Sequence, residues 1–170
     1  MELLAIPGVG GIIEKVLNGE HYILIQERSK DDALVEQGLI EIPAGKIRQF
    51  ENVFDCLRRE IKEETGLDVI EIDGENDSEV MEINGYKVIN YSPFNCAQNI
   101  QGYYPVMVQI FICRVTGQLL NRSNESKNIR WISINELEKK LINSQEQFYP
   151  MHLVTLRKYL NSIKENRISS

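Results

Sequence analysis

Three glutamates lie close together in the segment 41–67, which reads EIPAGKIRQFENVFDCLRREIKEETGL. If residues 52–65 form a helix, Glu60, Glu63 and Glu64 fall along one border between its apolar and charged sides, because positions three and four apart share a side of a helix. Carboxylate oxygens are the ligands that Mg²⁺ and Mn²⁺ prefer, and a divalent cation would offset the repulsion among the charges. The cluster therefore predicts a metal site, while a solvated Glu-rich helix is the alternative.

The same segment predicts how this helix would be held in place. Its apolar stripe, which we expect to face a core, consists of Val53, Phe54, Leu57 and Ile61. Gly66 suits the left-handed residue that ends a helix, and residues 39–42 read as the strand that leads into the segment. The glutamates would thus lie along the edge of a buried helix face.

The spacing of polar residues and glycines across this segment is specific. Gly45 is followed after five residues by Glu51, after seven more by Arg59-Glu60-Ile61, and then by Glu63-Glu64 and Gly66-Leu67. This pattern resembles the signature box of the Nudix hydrolases at every specified position, and the order of elements resembles that family over the whole chain. The resemblance implies an α+β fold, an α/β/α sandwich with a mixed β-sheet, and hydrolysis of a phosphoanhydride bond.

The resemblance also assigns metal ligands. Glu60 and Glu64 would be the main ligands of Mg²⁺, or of Mn²⁺ in its place, and Glu63 would bind directly or through a water molecule. The backbone carbonyl of Ala44 would complete the coordination shell. The three glutamates would also contribute to catalysis through the ion that they hold.

Other residues would support these ligands. The resemblance implies that Arg59 orients a glutamate and that Glu51 fixes the geometry of the metal ligands without binding the ion itself. It also implies that Gly45 permits the backbone to approach the metal site closely. Arg28 lies at the end of a predicted strand, where it could meet a substrate phosphate or form a surface ion pair.

The turn before the helix gives an indication of the substrate. Residues 41–47, EIPAGKI, look like the form found in ADP-ribose pyrophosphatases and related hydrolases of nucleoside diphosphate sugars. That branch often takes its general base from a loop glutamate just before a late strand, and Glu125 is the matching residue before the strand predicted at 129–132. An exposed glutamate is also expected on any polar loop. Lys127 departs from the branch, because a second loop carboxylate often stands there.

Two other functions stay open. A nucleoside triphosphate pyrophosphatase would release inorganic pyrophosphate, whereas hydrolysis of ADP-ribose would release two monophosphates. A nucleotide-sensing module without catalysis is the alternative from another class, but such regulators commonly lose glutamates of the box, and none is lost here.

Composition bounds the partners and the location. With 170 residues the chain is expected to be a single domain, 1–170, and its net charge of −6 and pI near 5.1 argue against non-specific nucleic-acid binding. A small anionic nucleotide remains compatible, since a metal can supply local positive charge. The three cysteines have no Cys-x-x-Cys spacing and suit reduced thiols in a cytoplasm. No apolar run reaches the length of a membrane span, and a homodimer is compatible with all of this.

The remaining elements are predicted from local patterns. Asn18-Gly19 and Asn84-Gly85 each indicate a hairpin, with His21 as a residue of a longer first turn. The glycines at 8, 10 and 11 are expected to let a strand approach its neighbour closely. The other expected elements are a loop at 92–105, a central strand at 106–115, a helix capped by Ser133, and a last helix from Pro150 with His152 in a structural role.

Overall fold

A computed structural model describes residues 2–29 and 36–169 of the chain. The strands are β1 (Ile6–Leu17), β2 (Glu20–Arg28), β3 (Ile40–Glu41), β4 (Ala44–Lys46), β5 (Asp68–Ile72), β6 (Glu79–Ile83), β7 (Tyr86–Asn90), β8 (Asn95–Gln98), β9 (Val106–Thr116) and β10 (Ser126–Ser133). The helices are α1 (Val53–Thr65), α2 (Ile134–Asn143) and α3 (Pro150–Ser169), with a 3₁₀ turn at Gln145–Gln147. In this described part, no helix is both long and apolar enough to cross a bilayer.

The main sheet is mixed. Its long strands pair in the order β10-β2-β1-β9-β5, with β1 and β9 parallel and the other neighbours antiparallel. The short strands β3, β4 and β8 attach to β2, β1 and β9, and β6 pairs with β7 in a separate hairpin. The parallel pair at the centre and the helices on the flanks confirm the predicted α+β class.

Helices cover both faces of the sheet. Successive residues on a strand point to opposite faces, so Ile12 belongs to the apolar cluster with α2 and α3, while Ile13 belongs to the cluster with α1. Ile110 and Phe111 of β9 divide in the same way. The two separate clusters confirm the α/β/α sandwich.

Gly10 allows three segments to meet at the centre of the sheet. A Cβ built at this position would lie 2.8 Å from Cδ1 of Ile110 and 3.0 Å from Cβ of Ala44. No larger side chain fits without displacing its neighbours, which confirms the expected close approach. The consequence is that β4, which carries Ala44, packs directly onto β1.

The first hairpin is tighter than predicted. Asn18 and Gly19 both have positive φ values, 52° and 78°, and they alone form the turn. Such a two-residue turn follows the natural twist of the strands it joins. The strands therefore continue to their ends, where His21 pairs with Val16, and the prediction of His21 as a turn residue is wrong. The second hairpin, around Asn84-Gly85, is confirmed.

The segment 92–105 is not a continuous loop as predicted. Residues Asn95–Gln98 form β8, which pairs with β9 from Ile110 to Met107. Their side chains carry little intrinsic strand preference, but the backbone groups along the edge of β9 need partners, and this tertiary demand overrides local preference. The predicted helix starts at Ser133 and Pro150 are confirmed, and Oγ of Ser133 accepts a hydrogen bond from the backbone N–H of Glu136.

His152 is a buried structural residue, as expected. Its ring is 1% exposed, and its Nδ1 accepts a hydrogen bond from the backbone N–H of Ile42 at 3.2 Å. Burial, together with the nearby charge of Arg28, lowers the pKa of His152 to about 3. The imidazole is therefore neutral in the folded protein at any pH near neutrality.

Protonation of His152 in the unfolded chain should weaken the fold in mild acid. Below the ordinary histidine pKa of 6.5, His152 becomes protonated in the unfolded chain, whereas in the folded protein it stays neutral until the pH nears 3. The free energy of unfolding should then fall by about 2 kcal/mol between pH 7 and pH 5. Urea denaturation at several pH values measures how steeply the free energy of unfolding falls with pH. The substitution His152→Asn should remove most of this pH dependence.

His21→Asn is the matched control, since only two histidines are present. This control should keep the slope of the parent protein. Equal slopes for the parent protein and His152→Asn would contradict the assignment.

Candidate active site

Helix α1 begins and ends as its sequence predicts. Oδ1 of Asn52 accepts a hydrogen bond from the backbone N–H of Phe54 at 2.8 Å, which caps the first turn. At the other end Gly66 adopts a left-handed conformation, φ 79°, and its N–H bonds the carbonyl of Lys62. All four residues of the predicted apolar stripe are buried, namely Val53, Phe54, Leu57 and Ile61. The acidic border of the helix is thereby fixed against the sheet.

The three glutamates differ in exposure. Glu64 is only 3% exposed, whereas the side chains of Glu60 and Glu63 are 13% and 54% exposed. Oε2 of Glu64 accepts hydrogen bonds from Nε2 of Gln26 at 2.8 Å and from the backbone N–H of Ala44 at 3.2 Å. The row therefore runs from a carboxylate held inside the protein to one that reaches solvent.

Arg59 holds the second carboxylate of the row. Its Nε and Nη2 bind both oxygens of Glu51 at 2.7 and 2.9 Å, and its Nη1 lies 2.5 Å from Oε1 of Glu60. The same Nη1 is 3.4 Å from Oε2 of Glu63. Hydrogen bonding to Arg59 lowers the pKa of Glu51 to about 2, against the opposing effect of burial. Arg59 thus contacts both Glu60 and Glu63. Its predicted role of orienting one of the glutamates is compatible with these contacts.

Gly45 leaves room for Glu60. A Cβ built on Gly45 would lie 1.8 Å from Cδ of the Glu60 side chain, an impossible overlap. The backbone of β4 is in turn fixed by pairing of Gly45 with Val9 on β1. The structure therefore brings the backbone of residues 44–45 against the glutamates of α1, at the place where the sequence predicted a close approach.

The donor set fits a hard divalent cation by chemistry. Glu60, Glu63, Glu64 and the carbonyl of Ala44 offer only oxygen atoms, which Mg²⁺ prefers. Within residues 2–29 and 36–169, however, no three metal-ligating side chains are gathered into a cluster. In the structure, Glu60 accepts a hydrogen bond from Arg59, and Glu64 accepts hydrogen bonds from Gln26 and from the backbone N–H of Ala44. Binding an ion would require these carboxylates to exchange part of those contacts.

Sequence reasoning missed Gln26 and Glu41. Gln26 is 0% exposed, and its Nε2 lies 2.8 Å from Glu64 and 3.4 Å from Oε1 of Glu41, which is 3% exposed. A signal was present, because Gln26 follows Leu24 by two positions on an apolar strand and so shares its face toward α1. A buried amide on such a face needs a polar partner. The row of carboxylates supplies that partner.

Arg28 forms ion pairs, but they are largely buried and not the surface pair that was the alternative to phosphate binding. Its Nη1 lies 2.9 Å from Oε2 of Glu41 and its Nε lies 3.1 Å from Oε2 of Glu36. Its guanidinium also lies 4.6 Å from the centre of the Tyr149 ring. Glu36 and Glu41 balance the charge of the guanidinium, and a substrate contact of Arg28 stays a prediction.

Glu125 lies outside the cluster of glutamates. It is exposed in the turn before β10, where its carbonyl accepts a hydrogen bond from the N–H of Ser29 at 2.8 Å. Ser29 follows Gln26 by three residues along an extended chain, a distance of about 10 Å. The end of β2 therefore connects the Glu125 turn with Glu64 through the backbone, and direct participation of Glu125 stays a prediction.

The cysteines are free thiols, as expected. Cys56 and Cys113 are buried and Cys96 is exposed. Burial raises the pKa of both buried thiols to about 12. Neither supplies a thiolate near neutral pH, so the nucleophile for a hydrolytic reaction has to come from elsewhere.

Comparison with known proteins agrees with the fold. The NUDIX domain family matches residues 8–152. A MutT protein from Methanosarcina mazei Go1 is 20% identical, with a TM-score of 0.61, and the match covers 96% of this chain and 99% of that one. A NUDIX hydrolase from Nitrosomonas europaea is 16% identical, with a TM-score of 0.62 and coverages of 95% and 73%. An Ap4A hydrolase from C. elegans is 16% identical, with a TM-score of 0.54 and coverages of 95% and 99%.

The chain belongs to the Nudix family, because the family match spans most of its length. It is a pyrophosphohydrolase, and members of this family generally need divalent cations, typically Mg²⁺, and act on small nucleotide substrates. The solved structures are too distant in sequence to show more than the fold. Among curated proteins, no significant sequence match is found.

Removal of the Gln26 amide should impair the site through Glu64. In Gln26→Ala the buried carboxylate loses its side-chain donor, and the hydrolysis rate should fall about 10- to 100-fold, as is typical for residues that support metal ligands. Steady-state kinetics over a range of Mg²⁺ concentrations checks this, and the Mg²⁺ needed for half-maximal rate should rise as well. The exposed Gln147→Ala is the control, and an unchanged Mg²⁺ dependence in Gln26→Ala would contradict the role.

Proposed function

We propose that the protein hydrolyses the diphosphate bond of a nucleoside diphosphate linked to another moiety, with ADP-ribose as the first candidate and nucleotide sugars next. The observation that carries the proposal is the row of glutamates on α1 lying against the backbone of residues 44–45, with Glu60 in contact with Gly45. The Pro-Ala-Gly turn that forms this backbone resembles that of ADP-ribose pyrophosphatases. A protein of similar fold from C. elegans is, by its name, an Ap4A hydrolase.

Glu60 and Glu64, with Glu63 and the carbonyl of Ala44, would hold Mg²⁺, or Mn²⁺ in its place. A cation bound there would neutralise charge on the phosphates and acidify a water molecule. Arg59 would position Glu60 through its 2.5 Å contact, and Glu51 would anchor Arg59. Gln26 would hold Glu64 at the buried end of the row.

Glu125 is our candidate for the general base. Water would attack one phosphorus atom, the bridging oxygen would leave with the other phosphate, and the proton of the water would pass to the Glu125 carboxylate. The exposed position of Glu125 on a turn leaves its side chain accessible to a substrate lying along the end of β2. The two products would both be phosphomonoesters.

The alternative within this enzyme class is a nucleoside triphosphate pyrophosphatase. It uses the same cluster of glutamates and differs in the products. ³¹P NMR of reactions with Mg²⁺ distinguishes the two, because ADP-ribose should give only two monoester signals. Inorganic pyrophosphate from a nucleoside triphosphate, with ADP-ribose left intact, would overturn the leading proposal in favour of the alternative. Absence of any product from either class would support a nucleotide-sensing role instead.

We also propose that residues 1–170 act as one domain in the cytoplasm. The free cysteines support a reducing compartment. A homodimer is compatible with the chain, and sedimentation at several concentrations would decide it.

Glu64→Gln should abolish most activity and leave the fold intact. Glutamine keeps an oxygen that can accept the hydrogen bonds from Gln26 and Ala44, while the negative charge that a cation needs is lost. Turnover should fall by more than about 100-fold, beyond the effect of a merely supporting residue, and the melting temperature should stay within about 3 °C. Retained turnover with a large drop in melting temperature would show a structural role.

Glu125→Gln should lower kcat and leave KM nearly unchanged. Loss of a general base typically costs about 100- to 10,000-fold in rate, and the exposed side chain carries little of the fold. Rate measurements at saturating substrate provide the test, with exposed Glu79→Gln on the β6–β7 hairpin as the control. A kcat within twofold of the parent protein would exclude Glu125 as the base.

A further inference from the structure

The turn that carries Glu125 brings two cations together. Residues 122–127 fold back on themselves, with Arg122 directly opposite Lys127 in an antiparallel bridge. Oγ of Ser123 accepts hydrogen bonds from the N–H groups of Glu125 and Ser126, and the Ser123 N–H donates to the carbonyl of Ser126. These hydrogen bonds fix the backbone of the turn from which both cationic side chains extend.

Arg122 and Lys127 are opposed in this bridge and both are exposed. Directly opposed residues have Cβ atoms about 5 Å apart, and like charges at this distance destabilise the pairing. In residues 2–29 and 36–169, neither Arg122 nor Lys127 forms a hydrogen bond or an ion pair through its side chain. Glu27, the partner of Lys127 on β2, binds Asn128 at 2.8 Å and lies 3.5 Å from Arg130. An anion between the two cations would relieve their repulsion.

A cavity of suitable size and chemistry lies beside them. It has a volume of about 290 Å³ and is lined by Ser29, Arg122, Ser123, Asn124, Ser126 and Lys127. Among the described residues, every lining side chain is polar and none is acidic. Ser126 is 0% exposed, and its buried Oγ has no hydrogen-bond partner within the described residues, so the lining contains an unused donor. Two cations and several hydroxyl groups suit a phosphate group.

The cavity is linked to the candidate active site through the end of β2. Ser29, one of its lining residues, donates its N–H to the carbonyl of Glu125. Gln26, which binds Glu64, lies three residues earlier, about 10 Å along the chain. One extended nucleotide could therefore contact the glutamates of α1 and the cavity together.

We propose that Arg122 and Lys127 form a binding subsite for a phosphate group other than the diphosphate that is cleaved. The phosphate comes either from a further phosphate on the substrate or from free orthophosphate. The first source rests on the proposed function and adds, beside ADP-ribose, nucleotides that carry a further phosphate away from the cleaved bond. The second source makes the subsite a sensor of inorganic phosphate beside the general base.

Phosphate binding can be measured without catalysis. Sodium phosphate is titrated into ¹⁵N-labelled protein in the presence of EDTA, with sodium chloride at matched ionic strength as reference. The amide signals of residues 122–127 should shift and saturate, and Arg122→Ala or Lys127→Ala should weaken this binding about tenfold or more. Arg130→Ala removes the same charge from β10 and should change the affinity less than twofold. No saturable shift, or equal loss in all three variants, would overturn the subsite.

Kinetics separates the two sources. If the substrate supplies the phosphate, Lys127→Ala should raise KM about tenfold or more for a nucleoside triphosphate and leave KM for a nucleoside diphosphate sugar unchanged. If orthophosphate is the ligand, both KM values should stay constant while inhibition by added phosphate disappears. If Lys127→Ala is active but changes neither the KM values nor the inhibition by added phosphate, the proposal is overturned. A chain that hydrolyses nothing refutes the proposed function, and the titration still decides the subsite.

Discussion

The structure depends on holding carboxylates close to a backbone turn inside a protein of net charge −6. Buried carboxylates are costly unless each has a donor. Glu64 is held by Gln26 and the Ala44 N–H, and Glu60 by Arg59. Each donor is placed by a different element, since Gln26 lies on β2, Ala44 on β4 and Arg59 on α1 itself. Strands β2 and β4 both pair with the edge of β1 that faces away from β9, and this shared edge brings the donors of β2 and β4 together.

The end of β2 organises the rest of the site. Gln26 points toward α1, Arg28 is held between Glu36 and Glu41, and Ser29 binds the turn of Glu125. A strand keeps fixed spacing along its length, so these contacts lie on one rigid line. The end of β2 and the residue after it therefore contact both Glu64 of α1 and the turn that carries the candidate base. A nucleotide extended along this line would meet them in sequence.

The sequence predicts most of the helical part and less of the sheet. Helix α1 is predicted closely because Asn52, the apolar stripe and Gly66 act locally. The roles of Gly45 and Arg59 are found through the family resemblance, and the structure places both against Glu60. Strand β8 could not be predicted, because it forms only where the edge of β9 offers partners. Gln26 and Glu41 were missed for a related reason, since their importance arises from contacts between residues distant in sequence.

Titration calorimetry with MgCl₂ tests the central claim most directly, namely that the glutamates of α1 form a metal site. The parent protein should bind Mg²⁺ saturably, and Glu60→Gln and Glu64→Gln should each lose most of this binding. Glu79→Gln, which removes the same charge from the distant β6–β7 hairpin, should bind as the parent does. Equal Mg²⁺ affinity in all four proteins would contradict the account, because it would place the ion elsewhere.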